Sequence, residues 1–158
     1  MNVTSADRPD AHMSSEPPAY WTRLAYESVI GFIRAEQAKR GFTQPQFWIL
    51  RHLSPNDLSA HGHGMTLAQL QEAMAEYIRP EDDLATEAEE LLGRGRIRRA
   101  SDDKLVLTDE GEATRLAWKA YGPEIRAIVQ EGIDDADYAT TIKVLKKLVS
   151  NTRPDLAG

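Results

Sequence analysis

Residues 98–111 read RRASDDKLVLTDEG. Two short β-prone runs, 96–100 and 104–107, flank the polar triplet Ser101-Asp102-Asp103. Alternating runs around polar turn residues predict a β-hairpin. Thr108 follows directly and suits the cap of a helix, because its hydroxyl accepts from a first-turn N–H. Gly111 leaves room for that helix to pack closely. The segment therefore reads as strand, turn, strand, capped helix.

Working outward, residues 78–92 read IRPEDDLATEAEELL. Arg79-Pro80 marks a boundary, since the residue before proline avoids the α region. A helix is expected after it, with Leu84, Ala85, Ala88, Leu91 and Leu92 on one face and acids on the rest. Glu81, Asp82 and Asp83 are expected in its first turn, where the helix dipole favours them. Gly93 and Gly95 end it. Further upstream, Thr66 with Gln69 and Thr43 with Gln46 are capping-box patterns. They predict one helix with Leu67, Leu70, Ala73 and Met74 inward, and another with Phe47, Ile49, Leu50 and Leu53 inward. Residues 54–65 are a loop by their Pro, Asn, Asp and Gly content.

The outermost segments are also helical. One helix is expected to start near Pro17-Pro18. Its stripe is Trp21, Leu24, Ala25, Ser28, Phe32 and Ala35. The helix after Thr108 continues the period through Ala113, Leu116, Ala117, Ala120 and Tyr121, until Gly122-Pro123 kinks or breaks it. Asp134 or Asp135 caps a last helix with Tyr138, Ile142, Leu145, Leu148 and Val149 inward. Residues 1–17 are polar and without period, and are expected to be a disordered leader. Residues 154–158 are a tail.

The chain has 158 residues, 41% hydrophobic and 28% charged, which suits one soluble domain with a real core. There is no cysteine, so disulfides and thiolate chemistry are excluded. No apolar run approaches a membrane span, and the expectation is a cytoplasmic protein without a membrane partner. The formal net charge of −6 argues against indiscriminate coating of nucleic acid, though a local basic patch matters more than the total.

The order helix, helix, helix, helix, hairpin, helix, helix, with Leu107-Thr108-Asp109-Glu110-Gly111 after the hairpin, resembles the MarR family of bacterial winged-helix transcriptional regulators. Gly41-Phe42-Thr43-x-x-Gln46, Thr66-Leu67-x-x-Leu70 and Leu91-x-x-x-Gly95-x-Ile97-x-Arg99 carry the resemblance further. It covers residues 18–153. It implies a mainly α fold: a winged helix-turn-helix domain at 43–107, whose wing is the hairpin, and dimerisation helices at 18–40 and 108–151. The implied homodimer agrees with terminal apolar stripes too extensive for a small winged domain to cover. Leu24, Phe32, Tyr138, Ile142, Leu145 and Leu148 are its expected interface. The turn before the acidic helix is longer than the family pattern, and the wing is short, with Asp103-Lys104-Leu105 at its tip.

The resemblance makes the acidic segment the helix that reads DNA. Its six carboxylates, Glu81, Asp82, Asp83, Glu87, Glu89 and Glu90, would face a polyanion. Carboxylates can accept from cytosine N4, but each lost phosphate contact also removes a counterion-release contribution. Compensation has to come from the wing. The expected partner is double-stranded DNA, contacted by Arg79, Thr86, Arg94, Arg96, Arg98, Arg99 and Lys104. The competing reading is a winged-helix dimer that has lost sequence-specific DNA binding and mates its acidic helix with a basic protein surface.

In the resembled family small aromatic effectors lodge between the dimer helices and the winged domain. The residues expected to line such a pocket are Trp21, Tyr26, Trp48, His52, Trp118 and Tyr121, although each aromatic is equally a core residue. His61-Gly62-His63, with Asp57 nearby, has metal-ligand character but lacks a clear fourth ligand, so neither metal nor cofactor is expected. No phosphate-binding glycine loop, metal-protease motif or nucleophile elbow is present, and the chain is not expected to be an enzyme.

Overall fold

The computed structural model describes residues 10–59 and 61–156. The hairpin forms where the sequence places it. Strand β1 (Ile97–Arg99) pairs antiparallel with β2 (Leu105–Leu107) in the register Ile97 with Leu107, Arg98 with Val106 and Arg99 with Leu105. Asp103 takes φ 61° in the turn, a left-handed position that aspartate tolerates. Each strand is shorter than expected. In the same register the Arg96 carbonyl accepts from Thr108 N at 3.2 Å and Ala100 N donates to Lys104 O at 2.8 Å, so the hydrogen bonds of the ladder run one residue beyond each strand at both ends. Met65 adds a single bridge to Leu105, with N–O distances of 3.0 and 2.7 Å. Gly64 lets the chain arrive there: a Cβ would stand 2.6 Å from the Leu105 carbonyl oxygen.

The structure divides into two units, 1–120 and 121–158. The first contains α1 (Pro18–Lys39), α2 (Gln44–Leu53), α3 (Leu67–Ala73), α4 (Leu84–Gly93), the hairpin and α5 (Asp109–Lys119). Both capping boxes form, Thr43 with Gln46 and Thr66 with Gln69. Its core is Ile49, Leu50, Leu53, Leu70, Met74, Leu84, Ala88, Leu91, Ile97 and Leu105. These residues all lie on α2–α4 and the wing, because each of those elements offers one apolar stripe or face. Ala73 and Ala85, expected inward, are exposed.

Helix α4 starts later than the acids suggest. Asp82 Oδ2 accepts from Arg79 N at 2.8 Å, and Asp82 N donates to Arg79 O at 3.0 Å. That closed turn holds 79–82 out of the helix. Asp83 is the cap, and Glu87 is the only acid left in the first turn.

Helix α5 covers one face and leaves its apolar period exposed in the single chain. Gly111, Thr114 and Arg115 are buried, whereas Ala113, Leu116 and Ala117 are exposed. Contact between Gly111 and the Arg96 carbonyl sets this rotation, and positions i, i+3 and i+4 follow on the same face. On α1 only Glu36 and Gln37 are buried; Trp21 and Leu24 of its apolar stripe are exposed and Phe32 is half-buried. Residues 1–9 of the expected leader lie outside the described residues. Ala11–Ser15, expected to lack structure, forms a 3-10 helix, with Met13 N donating to Asp10 O at 3.0 Å.

The second unit holds α6 (Gly122–Val129), α7 (Asp135–Thr152) and a 3-10 turn at Pro154–Leu156. A new helix starts at Gly122-Pro123, with Ala120 and Tyr121 between α5 and α6 both in the α region. Asp134 Oδ1 caps α7 through Ala136 N at 2.8 Å. No residue of α7 is buried, and Tyr138, Val144, Leu145 and Val149 remain exposed.

Candidate nucleic-acid interface

The outward face of α4 carries Ala85, Thr86, Glu89 and Glu90. The six carboxylates of the segment are mostly committed elsewhere. Glu81 accepts from Arg79 Nε at 2.7 Å. Asp82 receives the Arg34 guanidinium in both oxygens, at 2.7 and 2.9 Å. Burial alone would raise the Asp82 carboxyl, but Arg34 and the Arg79 N–H hold it below its ordinary value. Asp83 accepts from Thr86 N at 3.1 Å and from its hydroxyl at 2.9 Å, which lowers its carboxyl. Glu90 accepts from Gln46 Nε2 at 2.8 Å, and Glu89 is ion-paired to Arg99 of the wing. Glu87 is half-buried, and burial raises its carboxyl.

The bases divide into two groups. Arg79 holds Glu27 at 2.9 Å and Glu81 at 2.7 Å, with its guanidinium 5.5 Å from the Tyr26 ring centre. These contacts fasten the turn before α4 to α1. Arg94 donates to Gly41 O at 3.2 Å and stands 3.9 Å from Glu90. Arg99 also approaches Asp103 at 3.5 Å, and Lys104 pairs with Asp102 at 3.0 Å. Alternation puts Arg99 on the Ile97 face, toward α4, which is why Glu89 reaches it. Among the described residues no ion pair involves Arg96 or Arg98; Arg96 is half-buried and Arg98 exposed. The wing pairs are largely exposed, where solvent and salt screen them and hold each partner weakly. Phosphate oxygens can displace such partners at little cost.

A second charge cluster is buried. Arg115 has a side chain 2% exposed and binds Asp57 at 3.0 Å and Glu112 at 2.7 Å. Arg51 holds Asp57 through two 3.0 Å bonds, while Ser54 and Asn56 donate to Glu112 at 2.8 and 3.0 Å. Arg115 first, then Asn56 and Ser54, pull the Glu112 carboxyl down to about 2 against the effect of burial. This network ties α5 to the end of α2. Neither its Arg115–Asp57 pair nor the Arg34–Asp82 pair has a local sequence signal: the partners lie 58 and 48 residues apart.

Five of the six expected effector residues lie in the first unit, and only Trp48 and His52 stand beside one another there. Trp48 stacks on Tyr77 at 4.2 Å and lies 6.1 Å from the His52 ring. Trp118 stacks on Phe42 at 4.4 Å. Trp21 donates to Glu16 at 3.0 Å, and Tyr26 sits beneath Arg79. Tyr121 belongs to the second unit. The His52 Nε2 atom is buried without a hydrogen-bond partner, and burial lowers the pKa of the ring. A cavity of about 220 Å³ opens beside Pro55, Asn56, Gly62, Val106 and Asp109, and none of the six residues lines it. The His61 and His63 rings are 5.9 Å apart, and no group of three potential metal ligands gathers among the described residues. Of the expected dimer residues, Leu24, Tyr138 and Leu145 are exposed, and Phe32, Ile142 and Leu148 are half-buried. No helix among the described residues is long and apolar enough to cross a membrane.

No protein-family model matches the chain. No curated protein matches it either. Solved structures do. A MarR family transcriptional regulator from Silicibacter pomeroyi superposes with a TM-score of 0.67 at 16% identity, covering 85% of this chain and 93% of that one. A Mycobacterium tuberculosis MarR family protein in complex with DNA gives 0.64 at 21% identity, covering 85% and 98%. Bordetella bronchiseptica BpsR, whose DNA binding is regulated by 6-hydroxynicotinic acid, gives 0.59 at 21% identity, covering 85% and 95%. With its hairpin wing, its Thr108-capped α5 and these superpositions, the chain has the winged helix-turn-helix fold of the MarR family of transcriptional regulators.

Proposed function

We propose that the chain is a cytoplasmic, non-catalytic transcriptional regulator that binds double-stranded DNA as a homodimer. One observation carries this reading: the acids of the α4 segment are largely consumed within the fold. Asp82 is bound by Arg34, Glu81 by Arg79, Asp83 by the helix N-terminus and Glu89 by Arg99. Thr86 and Ala85 are then the groove-facing groups of α4 that carry no charge. Arg98 and Arg96 approach the backbone directly, and Arg99 and Lys104 exchange their exposed carboxylates for phosphates. Arg79 is assigned to the scaffold and not to the contact set.

Selection of bound duplexes from a random pool tests this directly and yields the half-site. In salt titrations of a selected duplex, Arg98→Ala is expected to flatten the log–log slope by about 0.9 per lost phosphate contact. Loss of affinity should be similar across sequences, as for a backbone contact. No binding at low salt, together with capture of a basic protein that depends on Glu89 and Glu90, would instead support the protein-binding reading.

The homodimer is supported by the unburied apolar face of α7. Leu145→Arg is expected to weaken association by about 2 kcal/mol or more, as for a central interface residue. Sedimentation should then show monomer at concentrations where the parent is dimeric. An unchanged sedimentation coefficient would remove Leu145 from the interface. A small aromatic effector is assigned to the Trp48–His52 neighbourhood, where a buried ring nitrogen still needs a partner.

A further inference from the structure

The turn between α3 and α4 carries Arg79 and Asp82, and both are bound back to α1. Arg34 of α1 binds Asp82 with two parallel bonds of 2.7 and 2.9 Å and donates through Nε to Gln44 at the start of α2 at 3.0 Å. The Asp82 side chain is only 7% exposed. Arg79, in the same turn, reaches back to Glu27 of α1 at 2.9 Å. Glu27 and Arg34 stand about two helical turns apart on one face of α1, so the turn is held at two points along that helix. Asp83, the next residue, caps α4. A surface turn normally carries most of a domain's mobility. Here a bidentate, largely buried pair fixes geometry as well as charge.

We propose that Arg34 and Asp82 are positioning residues that lock α4 to α1, so that the dimer's half-site spacing is set through α1. This rests on the reading of the chain as a DNA-binding dimer. In a two-fold dimer α1 is a subunit-interface element, and half-site separation mirrors the separation of the two reading helices. A rigid link from α1 to α4 makes that separation narrow. Without the link, α4 tracks the winged domain and the tolerated spacing widens.

The experiment uses the full-length protein and two readouts. Duplexes carry two copies of the selected half-site, with base pairs inserted one at a time between them. The parent should lose about tenfold or more in affinity on leaving its optimum spacing, and Arg34→Gln should lose only about threefold over the same steps. Arg34→Lys keeps the charge and should restore part of the discrimination. Without DNA, amide exchange across 84–93 should rise about tenfold in Arg34→Gln, while exchange across the core of α2 stays at the parent rate. An unchanged spacing profile with unchanged α4 exchange overturns the proposal. So does a uniform loss at every spacing with faster exchange in α2, which would make the pair merely stabilising. If the parent binds no duplex, the regulator reading fails, and the exchange measurement still decides whether Arg34 locks α4.

Discussion

Gly111→Ala is expected to lower the stability of the protein by about 3 kcal/mol, through overpacking against backbone. A Cβ at this position would stand 1.9 Å from the Arg96 carbonyl oxygen and 2.7 Å from Leu107 Cδ1. The leucine can rotate; the carbonyl cannot, because it accepts from Thr108 N while the Thr108 hydroxyl lies 2.9 Å away. The same hydroxyl accepts from Gly111 N at 3.0 Å to cap α5. Relief therefore requires α5 to move off the wing, and the cap is lost with it. Thermal unfolding should show a drop of about 10 °C, since 1 kcal/mol corresponds to roughly 2–4 °C for a chain of this size. Gly93→Ala is the control. Nothing lies within 4 Å of its Cβ position. That variant should be neutral or stabilised by up to about 1 kcal/mol, because alanine restricts the unfolded chain. Equal melting temperatures for the two variants would remove the close approach as the reason for the glycine.

Arg115→Met is expected to cost about 3–5 kcal/mol at neutral pH, the usual consequence of leaving buried charges without their partner. The methionine fills much of the volume, so the loss reports charge more than cavity. Asp57 keeps Arg51, and Glu112 keeps Ser54 and Asn56, but both lose the cation between them. The pH dependence has a defined sign. The Glu112 carboxyl sits at about 2, well below its ordinary value of 4.5, and Asp57 is also depressed, chiefly by its bonds to Arg51. Depressed carboxyls contribute stability that is fully present above their unfolded values and lost as pH falls through the folded ones. Chemical denaturation should therefore show the parent losing stability between about pH 4.5 and pH 2, and Arg115→Met should show a shallower decline there. A parallel decline in both proteins would mean that Arg115 is not what holds Glu112 ionised.

Much of the fold was legible because its signals are local. A threonine and a glutamine three residues on can close a capping box without help from the rest of the chain, and both boxes formed. The hairpin, the Thr108 cap and the break at Gly122-Pro123 are of the same kind. The candidate site was less legible. The acids at 81–83 suggested a helix first turn, yet Asp82 belongs to Arg34, and the bond closing 79–82 delays the helix to Leu84. Arg79 is paired with Glu27 of α1, a partner 52 residues away that no local pattern announces. The apolar period of α5 marks a helix but does not say which face the first unit covers; Gly111, Thr114 and Arg115 are the buried residues, because one backbone contact at Gly111 sets the rotation.

Side-chain periodicity and capping chemistry, which act over three or four positions, were enough to determine the order of α1–α5 and α7 and the place of the wing, but not the 3-10 turns at 11–15 and 154–156 or a separate α6. Which distant carboxylates meet Arg34 and Arg115 was decided only when segments about fifty residues apart came together, and which face of α5 turns inward only by the close approach of Gly111 to the Arg96 carbonyl. The reason is range. A hydrogen bond or a capped turn is specified by its immediate neighbours. An ion pair depends on where the folded backbone delivers two distant side chains, and no local pattern encodes that delivery.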